Sequence, residues 1–186
     1  MLTQDLIIKN VNLENKIYVA YSGGPDSTAL LHLLAEMRIN HQLKVKAIHV
    51  NHNLSKESKA WESHCKKICS ILNIDLTIES VQIISDGGGI ESASRKARYK
   101  IFENLLESGD QILLAHHSDD VAETIFMRLL RGTGVDGLEG PKFTREIGKG
   151  RLIRPLLKIT KKEILNYLAE NNIQYIEDDS NINNEF

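Results

Sequence analysis

The sequence predicts an α/β fold: a three-layer domain with a mostly parallel sheet of about five strands flanked by helices. Three observations predict it. Short, nearly continuous apolar runs alternate with stretches of helical periodicity. Their spacing fits right-handed strand–helix–strand crossovers. The 186 residues, 41% apolar and 26% charged, have the balance of one soluble globular domain with a full core.

The elements follow in order. Ile17–Tyr21 is an apolar run of the kind covered on both faces of a sheet. Leu30, Leu31, Leu33 and Leu34 mark a helix over about 27–37, and 45–50 is a second strand. Trp61, Cys65, Ile68 and Leu72 recur at spacings of three to four, predicting a helix over about 57–72. A third strand at 76–81 precedes a glycine loop, Gly87-Gly88-Gly89, and a long helix over about 91–106 that stops near Gly109. A fourth strand, 111–115, leads into a helix over about 119–131 and a glycine-rich loop from Gly132 to Gly140. Residues 152–157 read as mixed, 161–171 as helix, and 174–176 as a last strand.

Several classes are excluded or disfavoured. No apolar run reaches the roughly 18 residues of a membrane span, and the N-terminal residues lack the pattern of a secretory signal. Cys65 and Cys69, four apart on a helix, make a poor disulfide framework and an incomplete zinc site. They fit reduced thiols in a cytoplasmic protein. The formal net charge of -2 argues that this stretch alone grips RNA weakly.

Ligands of such sheets bind beyond the carboxyl ends of the strands, and the chemistry-bearing motifs all follow strands. Ser22-Gly23-Gly24-Pro25-Asp26-Ser27 joins the first strand to its helix. Its glycines let backbone N–H groups close on an anion, the helix N-terminus adds partial positive charge, and the serines add hydroxyls. Pro25 near the helix start costs no helical hydrogen bond. A Walker loop would need a lysine followed by Ser or Thr. Here Asp26 stands in the anion site instead, which makes sense where Mg²⁺ bridges carboxylate and phosphate. A plain turn with an Asp or Ser cap is the competing explanation.

The second constellation is Ala115-His116-His117-Ser118-Asp119-Asp120-Val121-Ala122-Glu123-Thr124. At 100° per residue, Asp120, Glu123, Thr124, Met127 and Arg131 share one stripe, with Val121, Ala122, Ile125 and Leu129 on the opposite, core-facing one. Acids at a helix N-terminus suit the dipole alone. That explains Asp119 and Asp120 but not Glu123 or the histidines. A carboxylate pair suits a metal or an ammonium group, and a protonated His116 suits a phosphate.

The first loop resembles the SGGxDS loop of the PP-loop ATP pyrophosphatases, which cleave ATP to AMP and pyrophosphate while adenylating a substrate. The second resembles the AHHxDDxAET segment of the tRNA(Ile)-lysidine synthetases within that superfamily. Val50–Ser55, Glu91–Tyr99 and Leu130–Leu138 are similar to that family's VDHGLR, E-x-x-A-R-x-x-R-Y and LRGTGxxGL segments, and Glu177–Asn181 to its EDxSN segment. The resemblance runs from about residue 17 to 181. Asn51, Asn53, Ser55 and Ser94 depart from the usual acid, glycine, arginine and alanine, which puts a role for the second-strand loop in doubt.

The resemblance implies a fold like that of the adenine nucleotide alpha hydrolases and a ligase that joins lysine to the wobble cytidine of tRNA(Ile), with ATP and Mg²⁺. It implies ATP binding by Ser22, Gly23, Gly24, Pro25, Asp26 and Ser27, with Asp26 organising Mg²⁺. Asp120 and Glu123 would hold lysine or serve as base, and His116 and Arg98 would contact ATP. Arg95 shares a face with Arg98. Arg128 and Arg131 are candidates to meet RNA, whereas Lys161 and Lys162 read as solvated. The chain ends before the family's R-N-x-I-R run, so residues 1–186 read as a single N-terminal catalytic domain, a fragment without C-terminal tRNA-binding domains. A homodimer is left open. One rival is a tRNA thiolase, disfavoured because Cys65 and Cys69 read as remote from the strand ends. Another is a nucleotide sensor that never turns over.

Overall fold

A computed structural model describes residues 2–83, 89–132, 134 and 137–176. Gly87, Gly88, Thr133, Val135, Asp136 and the acidic segment 177–181 lie outside the described residues. The elements are α1 (Gln4–Ile8), β1 (Ile17–Ala20), α2 (Pro25–His41), β2 (Val45–Asn51), α3 (Ser58–Ile71), β3 (Asp75–Ser80), α4 (Ile90–Leu105), β4 (Gln111–Leu113), α5 (Ser118–Leu130), β5 (Thr144–Ile147), β6 (Gly150–Ile153) and α6 (Lys161–Glu170).

One six-stranded sheet runs in the order β3-β2-β1-β4-β6-β5, one strand more than expected. All pairs are parallel except β5 with β6. That antiparallel edge hairpin escaped the sequence because Thr144-Arg145-Glu146-Ile147 has no apolar alternation and is mostly exposed. Its turn, Gly148-Lys149, begins with Gly148 at φ +55, as two-residue hairpin turns require. The expected strand at 174–176 does not form. That segment makes one backbone bond, from Ile176 N–H to the Gly23 carbonyl at 2.9 Å. The short α1 also went unpredicted.

Strand alternation sorts the core into two layers. Ile17, Val19, Tyr21, Val45, Ala47 and Leu113 face a cluster built with α2, α3 and α6. Tyr18, Ile48, Ile112, Leu114 and Leu152 face a second cluster with Tyr99, Phe102 and Leu106 of the α4 region. Both faces are covered, as a parallel sheet demands.

Helix α5 differs from expectation. None of its residues is buried; Ala122 and Leu129, expected toward the core, are exposed, as are Phe126 and Leu130. The inward stripe is Val121, Thr124, Ile125 and Arg128, the ordinary i, i+3, i+4, i+7 face. Gly140 lies against it: a Cβ there would stand 3.0 Å from Val121 Cγ1 and 3.8 Å from Ile125 Cδ1.

The joint between β4 and β6 is tight. A Cβ on Gly150 would stand 2.5 Å from the Asp110 carbonyl oxygen and 3.1 Å from Leu106 Cβ. Gly150→Ala is therefore expected to destabilise the chain by about 3 kcal/mol in urea denaturation. Gly134→Ala, with nothing within 4 Å of its Cβ, should change stability by no more than about 0.5 kcal/mol.

Candidate active site

Strands β1 and β4 are neighbours, but the chain leaves β1 toward β2 and leaves β4 toward β6. This is a topological switch point, where the diverging connections open a crevice at the carboxyl edge. Two loops fill its rim: 21–24 after β1 and 114–117 after β4.

The first loop is preformed. Ser27 Oγ accepts from the Ser22 N–H at 3.2 Å, lies 3.0 Å from Ser22 Oγ and donates to the Gly24 carbonyl at 3.2 Å. Thr28 Oγ1 donates to the Gly23 carbonyl at 3.2 Å. The N-cap is Gly24, so no side chain caps α2, and Pro25 opens the helix without an N–H to satisfy. The first-turn N–H groups of α2 are thus left without a capping side chain, the arrangement that suits an anion. Gly23 sits at φ +88, and a Cβ there would meet Ile176 Cδ1 at 2.9 Å and Cys65 Sγ at 3.1 Å. Cys65 thus supports the loop rather than lying remote from the strand ends. Burial pushes the Cys65 and Cys69 thiols up to about 12, with each other's charge adding at Cys65, so both are held protonated.

Asp26 is not bare. Lys161 Nζ, at the start of α6, donates to its Oδ1 at 2.6 Å, and His117 Nε2 lies 3.6 Å from the same oxygen. The expectation that Lys161 is merely solvated fails because α6 begins beside the crevice: the Ser118 N–H reaches the Ile159 carbonyl, and the Lys161 N–H reaches Asp119 Oδ1 at 3.4 Å. His117 is buried, and its Nε2 also stands 3.5 Å from Asp120 Oδ2. That Asp120 oxygen accepts the His117 backbone N–H at 2.7 Å, so part of this carboxylate caps α5. Glu123, one turn on, is exposed and makes no hydrogen bond among the described residues.

The adjacent histidines point to opposite faces. His117 continues the parity of Leu113 and Ala115 toward the phosphate loop, whereas His116 continues that of Ile112 and Leu114 toward α4. There its Nδ1 accepts from Arg154 Nε at 2.9 Å. Burial, then the charges of Arg154, Arg98, Arg95 and His117, lower the His116 imidazole to about 3. It is therefore a neutral donor through Nε2, not the protonated donor the sequence suggested.

Arginines crowd this second face. The Arg95 and Arg145 guanidiniums lie 5.2 and 4.6 Å from the Tyr99 ring centroid, and Arg154 donates to the Tyr99 hydroxyl at 3.2 Å. Burial opposes ionisation of that phenol, but Arg95, Arg154 and Arg145 together lower its pKa. Arg98 is half-buried, its own pKa lowered by burial and by Arg95. Its Nε has no hydrogen-bond partner among the described residues, and neither do His52 Nδ1 and Ser94 Oγ. These three residues, with Ile90, Glu91 and Arg95, line an open pocket of about 560 Å³. By contrast Arg128, a candidate for RNA, is spent locally on the carbonyls of Gly137 (3.1 Å) and Glu139.

Arg154 and Arg145 were missed because each is a lone basic residue, and Lys161 was misread because a basic pair at a helix start looks solvated; only the fold brings them together with the site. Asn53, in place of glycine, adopts φ +53, a conformation asparagine tolerates, and its N–H is held by Asn51 Oδ1 at 2.9 Å. The second-strand loop is thus intact despite its departures.

The chain belongs to the PP-loop domain family, whose profile matches residues 3–186, and membership implies use of ATP. It is 40% identical over 176 residues to the tRNA(Ile)-lysidine synthase of Coxiella burnetii, covering 94% of this chain and 39% of the relative. It is 44% identical over 164 residues to the enzyme of that name from Pseudomonas aeruginosa, covering 88% and 37%. The chain thus spans about two fifths of the length of the curated relatives it matches. Among solved structures, the U34-tRNA thiolase NcsA from Methanococcus maripaludis with its [4Fe-4S] cluster superposes with a TM-score of 0.72 at 21% identity, over 94% of this chain and 63% of that one. The NH3-dependent NAD synthetase from Campylobacter jejuni gives 0.55 at 19%, over 92% and 69%. At these identities the structures share the fold. No helix among the described residues is long and apolar enough to cross a membrane.

The His116 environment makes stability depend on pH. The unfolded imidazole binds a proton near 6.5, the folded one near 3. Between these values the unfolded state holds more protons, so this contribution is complete above about 6.5 and is lost as pH falls toward 3. His116→Gln should flatten the decline in urea-derived stability between pH 7 and 5 by up to about 1.4 kcal/mol per pH unit.

Proposed function

We propose that the chain is the catalytic domain of an AMP-forming ligase that joins lysine to the wobble cytidine of tRNA(Ile). The observation that carries the reading is the identity of 40–44% to tRNA(Ile)-lysidine synthases over about nine tenths of this chain. The site geometry supports it, because cation-binding and anion-binding groups meet across one crevice.

The first-turn N–H groups of α2 and the hydroxyls of Ser22 and Ser27 receive the pyrophosphate end of ATP. The Nε2–H of His116 and the unpartnered Nε–H of Arg98 meet phosphate from the α4 side. Asp26 would hold Mg²⁺ once Lys161 yields its place, and one carboxylate with substrate phosphates suits that ion, which neutralises charge on the leaving group when bound. The acceptor nucleotide enters along the pocket lined by His52, Glu91, Ser94 and Arg95. The cytidine base oxygen attacks the α-phosphorus and pyrophosphate leaves. The lysine ε-amine then attacks the activated ring carbon and AMP leaves. Asp120 and Glu123 hold the ammonium form of lysine and take the proton the amine must lose. The tight pairing of Lys161 with Asp26 supports the idea that this acidic rim accommodates an ammonium group. Protonated, buried Cys65 and Cys69 disfavour thiolation. The net charge of -2 favours a division in which most of the grip on tRNA comes from outside this domain.

The test is pyrophosphate release from ATP by the full-length protein, with lysine and tRNA(Ile) omitted in turn. Release that requires tRNA, with lysine appearing in the tRNA, is expected. Tight ATP binding without release would indicate a sensor, and sulfur incorporation from added sulfide a thiolase. Asp120→Asn combined with Glu123→Gln should lower lysine incorporation about 100-fold; unchanged incorporation would remove the lysine site from this rim.

A further inference from the structure

Arg154 directly follows β6 and is only 3% exposed. A buried guanidinium is costly unless its charge and its donors find partners. Among the described residues no carboxylate lies within ion-pair distance of it. Its contacts are neutral acceptors: the Lys142 carbonyl at 2.7 Å, the Tyr99 hydroxyl at 3.2 Å and His116 Nδ1 at 2.9 Å. A staple between the β5 arm and α4 explains the first two. It does not explain why the third partner is an imidazole at the carboxyl edge of β4.

The chemistry of that third bond is restrictive. Arginine donates and never accepts. An imidazole nitrogen facing Arg154 Nε must therefore be the unprotonated one, and the ring proton must sit on Nε2. Among the described residues, Nε2 of His116 has no hydrogen-bond partner. The usual orienting partner of a histidine, a carboxylate, has the reverse effect: it accepts a hydrogen bond from one ring N–H and leaves the other nitrogen a base. His117 stands beside three such carboxylates, Asp26 and Asp120 near its Nε2 and Asp119 4.0 Å from its Nδ1. The adjacent histidines thus receive opposite instructions.

We propose that Arg154 is a positioning residue of the phosphate site: it locks His116 in the Nε2–H tautomer and so makes it a fixed donor to bound ATP. The groups that face His116 are Arg154, Arg98, Arg95 and His117, all cations or neutral donors, and each further discourages a second ring proton. In this arrangement His116 cannot act as the base for the lysine amine, and that task falls to the acidic rim. The inference rests on the reading that His116 meets ATP.

The experiment uses the chain labelled with 15N-histidine, with ATP as ligand. In the parent protein, long-range 1H–15N spectra should show His116 as the Nε2–H tautomer, without titration between pH 8 and 5. In Arg154→Gln, the His116 pKa should rise by at least one unit, the Nδ1–H tautomer should appear, and the ATP Kd should increase about 10-fold. Arg154→Lys, which keeps a cationic donor, should give intermediate values, and it carries the test if Arg154→Gln does not fold. His116→Gln should weaken ATP to a similar extent, and adding Arg154→Gln to it should cost less than 2-fold more. Unchanged His116 titration and tautomer in the Arg154 variants, or fully additive losses of ATP affinity, would overturn the proposal. If His116→Gln leaves ATP affinity intact while Arg154→Gln still releases the tautomer, the error lies in the assignment of His116 to ATP, and the orienting role of Arg154 stands without its link to the phosphate site.

Discussion

The parallel pairing of β1 with β4 is the constraint on which the site depends. In register, Ile17, Tyr18 and Val19 face Gln111, Ile112 and Leu113, so both strands end at the same level and their loops emerge side by side. Because the chain departs in opposite directions from the two strands, the loops diverge and leave a crevice. The phosphate loop and the His116-His117 pair are separated by about ninety residues of sequence, yet strand order makes them opposite lips of one cleft. Breaking this pairing would remove the site and split both core layers, since Ile17, Tyr18, Val19, Ile112 and Leu113 of these two strands are all buried.

Strand alternation then divides the labour. One side chain up and one down, applied to 113–117, sends His117 to Asp26 and Asp120 and His116 to Arg154. The same rule applied to β2 sends Asn51 toward Glu62 of α3 and His52 toward Arg98 on α4. The sheet thus acts as a partition between an acidic rim on the α2 and α6 side and a guanidinium cluster on the α4 side. A nucleotide bound at the switch point, as proposed, would touch both.

Much of this was legible in advance and some was not, for identifiable reasons. Helices α2 to α6 and strands β1 to β4 follow from apolar patterning, most plainly β1, which is buried on both faces and continuously apolar. The phosphate loop was legible because its glycines and the helix start are contiguous. Hairpin β5–β6 was not, since an exposed edge strand needs no apolar face. The inner stripe of α5 was misassigned because the helix buries no residue, and a weak apolar bias let Leu129 pass for core. Lys161 was misread and Arg154 unnoticed for a deeper reason: each acts through a partner more than thirty residues away, and a basic residue carries no local signature of such a partner.

Net charge illustrates the same limit. A value of -2 argues against an independent grip on RNA through long-range attraction. It averages over a partition, however. Arg95, Arg98, Arg145 and Arg154 stand together around Tyr99 and His116, with no carboxylate within ion-pair distance of Arg98 or Arg154 among the described residues, while Asp26, Asp119 and Asp120 converge on His117. Bunched like charges oppose folding, and burial makes Arg98 and Arg154 the more costly of them. A polyanion bound at the α4 side relieves one cluster, and a cation bound at the rim relieves the other.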